Sequence, residues 1–200
     1  MNHTAKAGML LVFSVSLLGL GGEQVLLDET AAVIAAKLPS QKSVSVITRW
    51  ELEAKCRLES VLRYGRDGLD RTISKQLRSE VLEAMIDEMV VFMELQRLGS
   101  KEPDKKLYKN KLRAYTENFQ SKDEFFTELA KLSISSKQVQ SWLEQSALVD
   151  QYVDAQFHMD AAGFSDAAAE DFEIEKQYFR GGLIEDYKKR YRIWVFYEGE

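Results

Sequence analysis

Along residues 43–48, SVSVIT, polar and apolar side chains alternate with period two, and from Thr48 the spacing widens to the three-and-four rhythm of a helix. Thr48 and Glu51 stand at the spacing of a capping box, in which each side chain satisfies an orphan backbone N–H at the other's position. A strand is therefore predicted to feed directly into a helix over 49–64. Upstream, VLLD at 25–28 and TAAVIAAKL at 30–38 carry β-type signals, although an apolar run as short as TAAVIAA reads equally as strand or helix.

Downstream the spacing is helical almost throughout. Tyr64-Gly65 closes the first helix and GRDGLD is a turn-rich link. The next helix is predicted from about Asp70 or Thr72 to Leu98, with Gly99 as its C-terminal stop and Pro103 just beyond. Its apolar positions, Ile73, Leu77, Val81, Leu82, Ile86 and Val90 among them, widen to nearly the whole circumference at MVVFM, which marks it as the most buried helix. Further helices are predicted over 104–118, after Ser121 with Glu124 as a second capping box, and after Ser135 with Gln138 as a third. The last of these is expected to reach about Ala162 with Gly163 ending it, and to carry one apolar stripe of Val139, Trp142, Leu143, Val149, Val153 and Phe157. Ser165-Asp166 starts another helix, expected to stop at Gly181-Gly182, before a short amphipathic piece and the aromatic, β-branched run RIWVFYE, read as a strand. A lone strand needs a partner. The fold class predicted is thus mainly α with a small β component: a multi-helix body, with N- and C-terminal strands pairing in a small sheet.

Composition narrows the function. A net charge of −5 with acids and bases interleaved argues against nucleic acid as a partner, because counterion release needs clustered Lys and Arg. The leader MNHTAKAGMLLVFSVSLLGLGGEQ has an apolar stretch, Met9 to Leu20, followed by small residues. A helix of about a dozen residues spans only about 18 Å of a ~30 Å hydrocarbon core. Residues 1–22 therefore read as a secretory signal, with an uncleaved N-terminal anchor as the alternative, so the protein is expected outside the cytoplasm. Cys56 is the only cysteine, so no intrachain disulfide can form, and its amphipathic setting reads as a small buried hydrophobe.

Site chemistry is sparse. His3 and His158 are isolated, no metal-ligand cluster can be built from neighbouring residues, and phosphate-cradling or nucleophile-elbow motifs are absent. No enzyme activity, cofactor or metal is predicted. Acid pairs such as Asp87-Glu88 fit a solvated helix face. Met85, Met89 and Met93 repeat at four-residue spacing and so share one helical face, which reads as core packing or as an adaptable surface for varied apolar partners. Trp50, Phe119, Phe125, Phe126 and Trp142 read as core, with an open groove as the rival.

The order of elements carries a resemblance. VITRWELEAKCRL, LRSEVLEAMIDEMVVFMELQRLG, SKDEFFTELAKLSISSKQVQSWLEQSALVDQYVDAQF and FSDAAAEDF, taken together, resemble the N-terminal chaperone domain of the SurA-type periplasmic folding factors over residues 25–175. The most specific part is Leu77 to Gly99, where Leu82, Ile86, Asp87, Glu88, Leu98 and Gly99 fall at the family's positions. Ser133 replaces the glycine expected between two later helices, and Trp50 stands where a small polar residue is usual. The family's parvulin-type isomerase domain has no room in this chain after the serine-acid step, and the tail LIEDYKKRYRIWVFYE resembles the closing helix and strand of members without that insert. A prolyl isomerase of unusual design is a remote third reading.

What the resemblance implies is a helical domain at 23–180 and a closing helix and strand at 181–200, packed back on the N-terminal strands. The implied function is ATP-independent holding of unfolded or partly folded envelope and outer-membrane proteins in an apolar groove, without isomerase activity. Residue type and helical face point to Met85, Met89, Phe92, Trp142 and Tyr152 as the client-binding set. The rival class is a structural or adaptor protein that binds one folded partner or itself, since a fold does not fix a function. Membrane is a partner only if the leader is retained, and open strand edges allow a homodimer by strand exchange.

Overall fold

The computed structural model describes residues 29–37, 43–99, 102–160 and 169–197. The leader, the VLLD run, Gly163 and the Ser165-Asp166 helix start lie outside the described residues.

Strand β1 (Thr30–Ala36) is central, pairing antiparallel with β2 (Val44–Thr48) on one side and β3 (Tyr191–Val195) on the other. The ambiguous run TAAVIAA is thus the middle strand, and the two ends of the chain do meet in one small sheet. The pleat sends Ala32, Ile34 and Ile47 into the helical body, where each is almost fully buried. At the end of β2 the Thr48 hydroxyl accepts the Glu51 N–H at 3.2 Å while Glu51 Oε2 accepts the Thr48 N–H at 3.0 Å, so the expected capping box starts α1 (Arg49–Tyr64).

Helix α1 ends at Gly65 with φ +63°, and a short 3₁₀ turn, Gly65–Leu69, folds back along it. There a Cβ on Gly68 would lie 2.2 Å from the Ser60 carbonyl oxygen, so only glycine permits the approach. Helix α2 (Lys75–Arg97) starts later than the apolar spacing suggests. The Ser74 hydroxyl takes the Leu77 N–H at 3.1 Å, and upstream the Arg57 guanidinium claims the carbonyls of Leu69 and Arg71, holding Asp70 to Ile73 out of the helix.

Helices α3 (Lys105–Thr116), α4 (Lys122–Lys131) and α5 (Ser136–Asp160) follow the predicted order. Ser135 and Gln138 form the full reciprocal box before α5. At α4 only half of the expected box is present: Ser121 caps the Glu124 N–H at 3.1 Å, whereas Glu124 Oε2 accepts from Gln120 N at 2.6 Å. Helix α6 (Ala169–Lys188) corrects the sequence reading. It runs unbroken through Gly181-Gly182, which was expected to stop it. Two helical glycines cost about 1 kcal/mol each relative to alanine, and packing of Phe179, Leu183, Ile184 and Tyr187 against the core on either side of the pair offsets that cost.

The buried side chains form two cores. One joins the inner sheet face to α2, the second half of α5 and α6, through residues such as Ile34, Leu52, Val90, Val153 and Ile184. The other joins α1 to α3, α4 and the first half of α5, around Leu58, Val61, Leu112, Phe125, Leu129 and Val139. Helix α1 is the wedge between them: Leu52 and Cys56, one turn apart, enter the first core, and Ala54, Leu58 and Val61 enter the second.

Candidate functional site

Helix α1 packs on α2 and α3, and α5 packs on the same two helices. Four helices in that ring, with cores on either side, leave a seam that their own side chains do not fill. The seam opens as a cleft of about 350 Å³ lined by α1, α2, α3 and α5. Its apolar wall comes from Val81, Ala84 and Met85 of α2, Ala114 and Tyr115 of α3, and Trp142 and Leu143 of α5. A second hollow of about 180 Å³ shares Lys55, Met85, Glu88 and Trp142 with it and extends past Met89 to Ile47 at the end of β2. Together they make one trough from the sheet edge to the middle of α3.

Charges rim this trough in pairs. Arg63 bonds Glu59 Oε1 at 2.8 Å and Glu80 Oε2 at 3.0 Å on one side. On the other, Lys55 lies 4.0 Å from Glu88 and 5.4 Å from the centre of the Trp142 ring, and Gln145 Nε2 donates to Glu88 at 3.1 Å. Lys111 is held by Asp150 at 2.6 Å. The hydrogen bonds that Arg63 donates to Glu59 and Glu80 raise its pKa further, while Gln76 and then Arg63 draw the Glu80 carboxyl below its usual range. Burial first, with the Glu59 and Glu88 carboxylates adding, pushes the Tyr115 phenol well above its usual range, so it presents a neutral ring and hydroxyl. Apolar and ionic side chains thus share the lining, which suits it to taking apolar side chains from an extended chain whose polar groups meet the paired charges.

Of the residues singled out in the sequence, Met85, Met89 and Trp142 meet in this trough. Trp50 of α1 lies 6.1 Å from Trp142, ring to ring, and bridges α1 to α5 there. The methionine stripe divides: Met85 and Met89 are half-buried, and Met93 is core. Phe92 and Tyr152 do not line the trough. Both pack on the first core, and the Tyr152 hydroxyl sits 2.5 Å from that of Tyr187. Phe119, Phe125 and Phe126 belong to the second core, Phe125 fully buried. The sequence reading missed Tyr115, Ala84, Ala114 and the ionic rim. Lys55, Glu59, Arg63 and Glu88 look like ordinary solvated helix positions until four helices bring them around one opening.

Cys56 is buried in the first core, and burial, then the nearby Glu53 carboxylate, pushes its thiol up to about 12 against the opposing pull of Arg78 and Arg57. Among the described residues no group of three His, Cys, Asp or Glu side chains is placed to hold a metal ion, and no helix is long and apolar enough to cross a membrane. No family model, curated protein or solved structure matches the chain.

Proposed function

We propose that the protein holds unfolded or partly folded polypeptide in the trough between α1, α2, α3 and α5, as an ATP-independent chaperone of extracytoplasmic proteins without isomerase activity. The observation that carries this reading is the unfilled seam itself: half-buried Met85, Met89 and Trp142 stand where two cores fail to close on each other. Methionine adapts to apolar groups of varied shape, and an indole offers a flat face to aliphatic or aromatic side chains alike. Removing such surface from water stabilises a complex by about 25 cal/mol per Å², so holding needs no chemical step. The likeness of residues 77–99 to the SurA-type chaperone domain supports the same reading, and with it an envelope-protein client and an exported location. The proposed site is Met85, Met89 and Trp142 with Tyr115. Phe92 and Tyr152 support it from the core.

The test is suppression of aggregation of a denatured β-rich protein in the absence of nucleotide. Suppression near equimolar chaperone is expected, and it should be lost in Ala84→Arg, which puts a long cation into the apolar wall from an exposed helix position. No suppression at stoichiometric excess rejects the proposal. The ionic rim favours a second reading, an adaptor for one folded partner, because fixed pairs such as Arg63–Glu80 and Lys55–Glu88 specify shape and register. A panel of unrelated denatured clients separates the two, since an adaptor would ignore all of them.

A further inference from the structure

The outward face of the sheet is built like an interior. Along β2, Ser45 and Ile47 point toward the helices, whereas Val44 and Val46 point away and are 63% and 45% exposed. Val46 pairs with Val33 on β1, and Val33 pairs with Trp194 on β3, so one apolar row crosses all three strands. Phe196, two residues beyond Trp194, carries the row on at 52% exposure. An antiparallel sheet with one wet face ordinarily puts polar residues there. The cation on this face is Arg192, opposite Ala35, and exposed Lys37, whose Nζ donates to the Lys189 carbonyl at 2.6 Å, follows at the end of β1. Among the described residues neither has a carboxylate partner, in contrast to Lys189 and Arg190 at the same end, which pair with Asp186 and Glu94.

We infer that this face docks on an anionic phospholipid surface. Three short strands at about 4.8 Å spacing and 3.3 Å per residue give a footprint on the order of 250 Å², far below the ~800 Å² per partner of a stable protein interface. A second copy is therefore a poor occupant, whereas a bilayer sets no minimum area. Trp194 and Phe196 alternate with Arg192 on one strand face, the combination that sits at the headgroup level: rings at the hydrocarbon boundary, a guanidinium on phosphate. The chain ahead of the sheet agrees. Eight residues separate Leu20 from Glu29, a reach of at most about 30 Å, so a retained Met9–Leu20 segment seated in lipid keeps β1 close to that surface. With a net charge of −5 the molecule as a whole is repelled by anionic lipid, so attraction has to come from a local face.

The experiment places an environment-sensitive dye on Val46→Cys in the full chain, with Lys131→Cys on α4 as the control position. Buried Cys56 is shielded from the label. Vesicles of phosphatidylglycerol and phosphatidylethanolamine should shift the Val46→Cys dye to the blue and expose it to quencher carried on the lipid chains, with the Lys131→Cys dye unchanged. Pure phosphatidylcholine should give several-fold weaker binding, as should Arg192→Glu on anionic vesicles. Val44→Cys, at the more exposed neighbouring position, repeats the measurement if Val46→Cys folds poorly. A dye that stays in water while the chain sediments with vesicles overturns the inference, because the leader alone would then carry the binding. So does absence of binding to anionic vesicles, or a blue shift that grows with protein concentration in the absence of lipid, the signature of a second copy covering the face.

Discussion

The Tyr191 hydroxyl donates to Glu94 Oε1 at 3.0 Å, joining the first residue of the last strand to a carboxylate near the end of α2. Glu94 is 1% exposed, and its other oxygen accepts from Arg97 at 2.9 Å and Arg190 at 3.2 Å. A buried carboxylate is tolerated only when paired and hydrogen-bonded, and here its three partners include two from the C-terminal end of the chain. The network therefore fixes β3 to the helical body. Glu94→Gln keeps the shape and removes the charge, and should lower the unfolding free energy by about 1.5–3 kcal/mol, the range for hydrogen bonds to a charged group. Chemical denaturation measures the loss. Amide exchange should show the β3 amides, Ile193 above all, losing protection ahead of those in α2.

Gly181 and Gly182 lie inside α6 with open space around each would-be Cβ and no positive φ. Each is a helical position paying glycine's backbone entropy with no steric need for it. Gly181→Ala and Gly182→Ala should each stabilise by about 0.5–1 kcal/mol, and the double variant should show close to the sum as a higher denaturation midpoint with an unchanged denaturant slope. A loss of stability in either would mean that the glycines serve a bend or contact that the helix does not show.

These glycines also mark what local sequence could and could not decide. Signals confined to a few residues, such as Thr48 with Glu51 and Ser135 with Gln138, were legible because the capping hydrogen bonds are made within one turn. Gly181-Gly182 looked like a stop because propensity is a local quantity, whereas what carries α6 across the pair is burial of Ile184 and Tyr187 against distant strands and helices. The delayed start of α2 has the same cause: Arg57 reaches from α1 to hold the carbonyls of Leu69 and Arg71. At the candidate site, Met85, Met89 and Trp142 could be chosen from residue type and helical face. Phe92 shares that type and helix, yet packs on the first core without lining the trough. Tyr115 and the ionic rim needed the helix arrangement, which no window of sequence contains.

Ser133 closes α4 where glycine would be expected, and it does so with φ +62°. Its N–H bonds the Ala130 carbonyl at 3.0 Å and the Ile134 N–H bonds the Leu129 carbonyl at 3.0 Å, the paired bonds of a Schellman motif, with Ile134 and Leu129 both buried in the second core. The turn is thus kept by its hydrogen bonds and apolar contact despite a residue that pays roughly 1–2 kcal/mol for the left-handed conformation. Ser133→Gly removes that strain but adds freedom to the unfolded chain, leaving an expected net gain of about 0.5–1 kcal/mol. Ser133→Val, branched at Cβ, should lose stability at the same turn. Denaturation midpoints of the two variants moving in the same direction would contradict this account.

Alkaline pH probes the first core through Cys56. Its thiol is raised from the ordinary value of 9.0 to about 12 by burial and the Glu53 carboxylate, so the folded protein keeps the proton that the unfolded chain gives up first. Between those two values the unfolded state binds fewer protons, and stability falls as pH rises. The contribution is fully present below pH 9, and each pH unit above it removes up to about 1.4 kcal/mol. The buried phenols of Tyr115, Tyr187 and Tyr191, raised above their ordinary 10.0 chiefly by burial, add their own losses only at higher pH. From pH 8 to pH 10 the protein should therefore lose about 1 kcal/mol more than Cys56→Ala does, however much the cavity left by that substitution lowers stability at neutral pH. Parallel stability–pH curves for the two proteins over this interval would show that the thiol titrates normally, and would contradict its burial in the first core.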